Sequence, residues 1–185
     1  MDSTRAARED VPAPGLGLTG LLVVQMAVGY EWLMSGLTKI IRGGFPAGLA
    51  ADLRDNAAAA APWYRWFLTH MVIPNGQTFG YLIEVVEVFT GLAMIGAALC
   101  WLFGWQRLPS WGRFATLGAI VVSAVAGMVM AVNFHLSKGS THPWIVPREG
   151  FDESVDLDSL LPFIQAVFIW MSVATWLSLK RAARR

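Results

Sequence analysis

Glu31, Glu84 and Glu87 fall inside stretches of chain otherwise apolar enough to cross a lipid bilayer. A carboxylate at membrane depth costs roughly 2.5–3.5 kcal/mol on insertion scales. Such a side chain persists where it faces a partner, a polar cavity or a ligand inside a helix bundle, so the chemistry is expected around these three. Glu84 and Glu87, at i and i+3, share one helix face and cannot both ionise cheaply in a low dielectric, so they act as a coupled pair. Lys39 and protonated His135 are the nearby cations on the helices. Together these groups are suited to pass protons to a bound acceptor or to polarise a carbonyl.

The elements that must position them are membrane helices. The 185 residues are 55% hydrophobic and only 15% charged, against about a quarter charged in an ordinary soluble domain. Four apolar segments, 16–41, 79–104, 114–136 and 160–179, each reach the ~20 residues that cross ~30 Å of hydrocarbon. The expected fold is all-α, an integral membrane four-helix bundle forming a single transmembrane domain. The first segment is too long for a signal-peptide core and carries Glu31 and Lys39, so it reads as an anchor that stays.

Lys and Arg set the expected orientation. Arg5, Arg8, Arg107, Arg113, Lys180, Arg181, Arg184 and Arg185 crowd the helix ends on one side. Arg42, Arg54, Arg65, Lys138 and Arg148 are spread over two longer loops on the other. Both termini are therefore expected in the cytoplasm and the chain in the plasma membrane, with loops 42–78 and 137–157 outside. In the first outer loop the alanine-rich stretch 46–61 reads as helical. Pro62 then opens the cluster Trp63, Tyr64, Trp66 and Phe67, which suits a short helix at the bilayer interface. Pro74, Asn75 and Gly76 are expected to break the chain before the second span.

With that topology the polar residues agree in depth. Glu31, Ser35, Thr38 and Lys39 lie within about 100° of one another on the first helix. Gly80, Glu84, Glu87 and Gly91, continued by Ala98, make a stripe on the second. Ala119, Ser123, Ala126, Met130 and Asn133 lead outward to His135 on the third, and Gln165 follows Pro162 on the fourth. Glu31, Glu84, Glu87, Asn133 and Gln165 are thus expected to meet in the outer half of the bundle. The competing reading is a structural polar core with small residues for close helix packing, and Lys39 snorkelling to the interface.

Other chemistries are excluded or disfavoured. Cys100 is the only cysteine, so there is no internal disulfide, CxxC pair or c-type haem motif. His70, His135 and His142 have no HxxxH or HExxH spacing, so no haem or metal is expected. Trp63, Trp66, Trp101, Trp105, Trp111 and Trp144 read as interfacial anchors, and the acidic run 152–158 as a solvated or partner-facing surface. Nothing points to nucleic acid.

The segment WLMSGLTKI (residues 32–40) resembles the first-helix signature of the DoxX family, a glycine followed three residues later by lysine. FLTHMVIPNGQTFGYLIEVVEVFTGLAMIGAAL (residues 67–99) resembles its second block, and AVNFHL (residues 131–136) is similar to its third-helix end. The resemblance implies a four-helix bundle and kinship with the DoxD-like membrane subunit of thiosulfate:quinone oxidoreductase, which works beside a second subunit. Gly36, Lys39, Glu87, Gly91 and Asn133 are the matching positions, with either Glu84 or Glu87 as the family glutamate. The implied function is a membrane subunit of a quinone-linked oxidoreductase. Glu31, Glu84 and Glu87 would handle protons, and Lys39, Asn133, His135 and Gln165 would line the ligand site. The expected partners are the bilayer, a second subunit or further copies of the chain, and a small-molecule reductant or quinone. The alternatives are a non-catalytic accessory or assembly subunit of a larger membrane complex and, third, a small-solute carrier or channel.

Overall fold

The computed structural model describes residues 15–138, 157–182 and 184. The N-terminal arginines Arg5 and Arg8, the loop residues His142, Trp144 and Arg148, the acidic residues before Leu157, and Arg185 lie outside the described residues. Helix α1 (Leu16–Arg42) ends at Gly43 and Gly44, both at positive φ (69° and 80°). That backbone favours glycine and turns the chain within two residues into α2 (Phe45–Ala57), where Pro46 occupies the first turn. Helix α3 (Pro62–Phe67) continues through a π-helical turn (Leu68–Val72) and a 3-10 turn (Ile73–Asn75) into α4 (Gly76–Leu99). After a second π-helical turn (Cys100–Gly104) come α5 (Ser110–Ser137) and α6 (Leu157–Ala182).

Four helical stretches among the described residues are long and apolar enough to cross a membrane: Leu16–Arg42, Pro62–Gly104, Ser110–Ser137 and Leu157–Ala182. The fold is an all-α four-helix bundle with the make-up of a multi-pass membrane protein. Phe89, Val122 and Trp170 turn outward and are largely exposed, a surface suited to lipid rather than water. The second stretch starts well before the expected residue 79. The proline is absorbed by the 3-10 turn, which needs fewer α-type hydrogen bonds, so the helical path runs on instead of breaking.

Glycines set the approach of α1 to α4. A Cβ on Gly29 would come 2.9 Å from Met94 Cβ, and one on Gly91 would come 2.6 Å from the Gly29 carbonyl oxygen. At Gly36 it would lie 2.8–3.0 Å from Val88 and the Glu87 Cβ. Backbones this close gain dispersion contacts where apolar burial gives no advantage over lipid. Gln25 fastens the crossing by donating from Nε2 to the Met94 carbonyl, 2.8 Å away and buried.

Two apolar clusters result. Leu22, Trp32, Met94, Leu117, Ile120 and Phe168 belong to the bundle core. Leu49, Leu53, Tyr64, Leu68 and Val72 form a second core beneath α2 and α3, which cap one end of the bundle. The cap sits close because Gly76 and Gly80 on α4 leave room for Ala50 and Pro46. At the opposite end Trp101 and Trp105 are buried and stack at 4.6 Å, with the Arg113 guanidinium 5.7 Å over the Trp105 ring. Their expected anchoring role is corrected: the π-helical turn at Cys100–Gly104 carries these rings into the bundle end. Trp63, Trp66 and Trp111 are exposed.

Gly91→Ala should lower the unfolding temperature in detergent, since overpacking a tight contact costs about 1–3 kcal/mol. Gly96→Ala, where an added Cβ meets nothing within 4 Å, should leave it unchanged or raised. Parallel thermal unfolding of the two variants checks this.

Candidate functional site

Between the cap and the ends of α1, α4 and α5 that it covers lies a cavity of about 540 Å³. Its walls are mainly apolar and aromatic, with Phe45, Leu49 and Leu53 from α2, Phe67 from α3, and Met130 and Phe134 from α5. The polar groups on the wall are Ser35, Lys39, Tyr64 and Asn133, while Asp52, Asn56, Ser137, Lys138 and Asp158 also line it.

Of these wall residues Lys39, with Ser35 beside it, is joined to a fully buried carboxylate, that of Glu87. Its Nζ donates to Glu87 Oε1 and Oε2, 2.7 Å from each, and to Ser35 Oγ at 2.8 Å. Ser35 Oγ in turn lies 3.3 Å from Glu87 Oε1 and donates to it. The ammonium also lies 5.2 Å from the Phe45 ring centre and 5.5 Å from that of Phe134. An ammonium has three donors, and all three have acceptors within the protein. The charges cancel, and no donor is left over for an anion.

Gly36 makes this pair possible. Because α1 lies against the Glu87 Cβ at that point, a lysine one turn further out reaches the carboxylate directly. Lys39 therefore turns inward, and the snorkelling reading is corrected. A partner inside the bundle outweighs the pull of the interface.

The seven predicted site residues do not all converge. Lys39 and Asn133 line the cavity, with Glu87 directly behind Lys39. Glu84 is buried on the same face of α4, outside the cavity wall. Glu31 is exposed, which corrects the expectation that it joins the group. Residues four apart on an α-helix precess by about 40°, so Glu31 sits about 80° from Lys39 and falls off the buried face. His135 contacts α6 instead of the cavity, with Nδ1 3.0 Å from Ser159 Oγ. Nearby, Lys138 after the C-terminal end of α5 pairs with Asp158 at the start of α6.

Gln165 is fully buried but lies deeper, against Gly127 and Trp32. Among the described residues neither its Oε1 nor its Nε2 has a hydrogen-bond partner, and neither does Trp32 Nε1. Leaving such a group dry costs about 1–3 kcal/mol.

Tyr64 was missed as a site residue. Its hydroxyl donates to the Asn133 carbonyl and Oδ1, both 3.1 Å away, and so pins α3 to α5. Asn133 Nδ2 donates to the Val129 carbonyl at 2.7 Å. Tyr64 is 4% exposed between Trp63 at 65% and Trp66 at 59%, and only the helical rotation of this short segment separates it from its neighbours. The aromatic run alone carries no such signal.

Fold and site thus define a helical membrane protein with a roofed apolar cavity and a neutralised lysine–glutamate pair in its wall. No family model, curated protein or solved structure matches the chain.

Removing one partner of the buried pair strands the other charge, so Lys39→Met should cost about 3–5 kcal/mol. Combining it with Glu87→Leu should restore most of the loss. A double-mutant cycle from denaturant unfolding in mixed micelles measures both.

Proposed function

We propose that this chain is a membrane subunit of a quinone-linked oxidoreductase, DoxX/DoxD-like in kind, and that the cavity receives the quinone. The observation that carries the reading is a neutral Lys39–Glu87–Ser35 network set in the wall of a mainly apolar, aromatic cavity. A pocket of 300–1,000 Å³ suits a drug-sized organic ligand, and about 540 Å³ accommodates a substituted ring. Saturated donors and cancelled charge favour a neutral guest over an anion such as an inorganic sulfur species, so oxidation of an anionic reductant belongs to a partner subunit.

The residues present fit a quinone ring. Phe45, Phe67 and Phe134 offer faces for it, and Lys39 together with the Ser35 hydroxyl holds exchangeable protons at the wall. A bound quinone would accept the electrons. This chain's part is to place the ring, exclude water and hold a proton between the Lys39 ammonium and the Glu87 carboxylate. Gly36, Lys39, Glu87, Gly91 and Asn133, the positions of the family resemblance, all sit at this pair, at the crossing that forms it or on the cavity wall. The chain resides in the plasma membrane with both termini cytoplasmic, which puts the cavity on the outer side. It works with a second subunit or further copies of itself.

A second reading is a non-catalytic accessory or assembly subunit. The internal saturation of Lys39 favours it, because a pair with every donor satisfied also serves as a brace.

Purified protein should bind ubiquinone-1 saturably in detergent, and Leu53→Trp should abolish binding by filling the cavity. Isothermal titration calorimetry reads this, and absence of binding to the wild-type chain sinks the quinone reading. In the complex co-purified from native membranes, Glu87→Gln should lower quinone reduction by about 10². Full activity in that variant would establish the accessory reading instead.

A further inference from the structure

Below the cavity floor, at Gly127 on α5, two side chains from different helices meet with their hydrogen-bonding atoms unsatisfied. A Cβ on Gly127 would lie 3.0 Å from Trp32 Nε1 of α1 and would collide with Gln165 Nε2 of α6. Glycine at this position is what leaves the carboxamide its place. Trp32 is buried and Gln165 wholly so, and among the described residues their indole N–H and both amide atoms lack partners.

Gln25 shows what the bundle does when a carbonyl is in reach, since its Nε2 donates to the Met94 carbonyl at 2.8 Å. No such arrangement exists at Gln165. Both indole and amide nitrogens lie so near one point above Gly127 that their separation is at most about 5.2 Å, the sum of their two distances from it. A water molecule hydrogen-bonded to two groups bridges separations up to about 5.6 Å. The node is polar, enclosed and supplied by two side chains with at least three hydrogen-bonding positions, the setting in which buried water belongs to the structure.

We propose that the Trp32–Gln165–Gly127 node is a binding site for internal water, which fastens α6 to α1. The inference is independent of any quinone at the cavity. Water accepts from the Trp32 indole N–H and is shared with the Gln165 carboxamide, so that α1 and α6 are joined through solvent. The site is discrete. One turn along α1 and α6 the adjoining side chains are Val28 and Phe168, both buried and apolar, so the site is bounded there by apolar surface.

The test uses the full chain in detergent with ¹⁵N-labelled tryptophan, the Trp32 indole resonance being assigned by its loss in Trp32→Phe. The wild-type Trp32 indole proton should show a nuclear Overhauser cross-peak to long-lived water while exchanging slowly with bulk solvent. Gln165→Leu should remove that cross-peak and shift the indole proton, leaving the stacked Trp101 and Trp105 resonances in place. A wild-type indole proton without a water cross-peak overturns the proposal, and this arm needs no variant to fold. So does a cross-peak that survives unchanged in a folded Gln165→Leu chain, or a direct coupling from the Trp32 indole to the Gln165 amide oxygen.

Discussion

The contact between Lys39 and Glu87 fixes more of this molecule than any other pair of side chains. An ammonium and a carboxylate withdrawn from water are tolerable only when they meet with good geometry and when their remaining hydrogen-bonding capacity is used. Here the carboxylate takes two bonds from the lysine and a third from Ser35. The geometry depends on backbone proximity, and that proximity depends on the absence of a side chain at Gly36, Gly29 and Gly91. The ion pair and the glycine crossing therefore form a single constraint. Each glycine that brings α1 against α4 also holds the two charges at bonding distance.

The same crossing fixes the place of the cavity. Once Lys39 is held inward, the C-terminal end of α1 presents its Nζ beneath Phe45 and beside Phe134, and the cap closes over it. Gly76 and Gly80 let α2 lie close to α4, while the Tyr64 hydroxyl ties the far side of the cap to α5 at Asn133. A mainly apolar chamber with the neutral Lys39–Glu87 pair in its wall follows from these three attachments.

Much of this was legible in the residues. Length and apolarity marked the four spans, because a bilayer core imposes a minimum helix length that few other environments require. The polar stripe of α4 was readable from Gly80, Glu84, Glu87 and Gly91, all of which are buried. Glu31 was not, because a stripe spaced by four residues precesses around the helix, and only packing decides which end faces inward. Gln165 lies deeper than the pair and His135 turns toward α6, which the expected agreement in depth could not reveal. The cap was half visible: its helices followed from alanine and proline placement, but that Tyr64 would enter the site while Trp63 and Trp66 stay outside depends on tertiary contact. Trp101 and Trp105 show the converse, tryptophans near a span end that stack inside the bundle.

The separation of the apolar side chains into two clusters has a consequence for how such a protein changes over time. The membrane-crossing helices owe their cohesion to one set of residues, centred on Met94, Ile120 and Phe168, and the roof of the chamber owes its own to another, centred on Leu53, Tyr64 and Leu68. Substitutions among the roof residues reshape the chamber without loosening the part that must survive in lipid. A lineage built on this plan is free to vary the shape and lining of the chamber while its scaffold stays as it was.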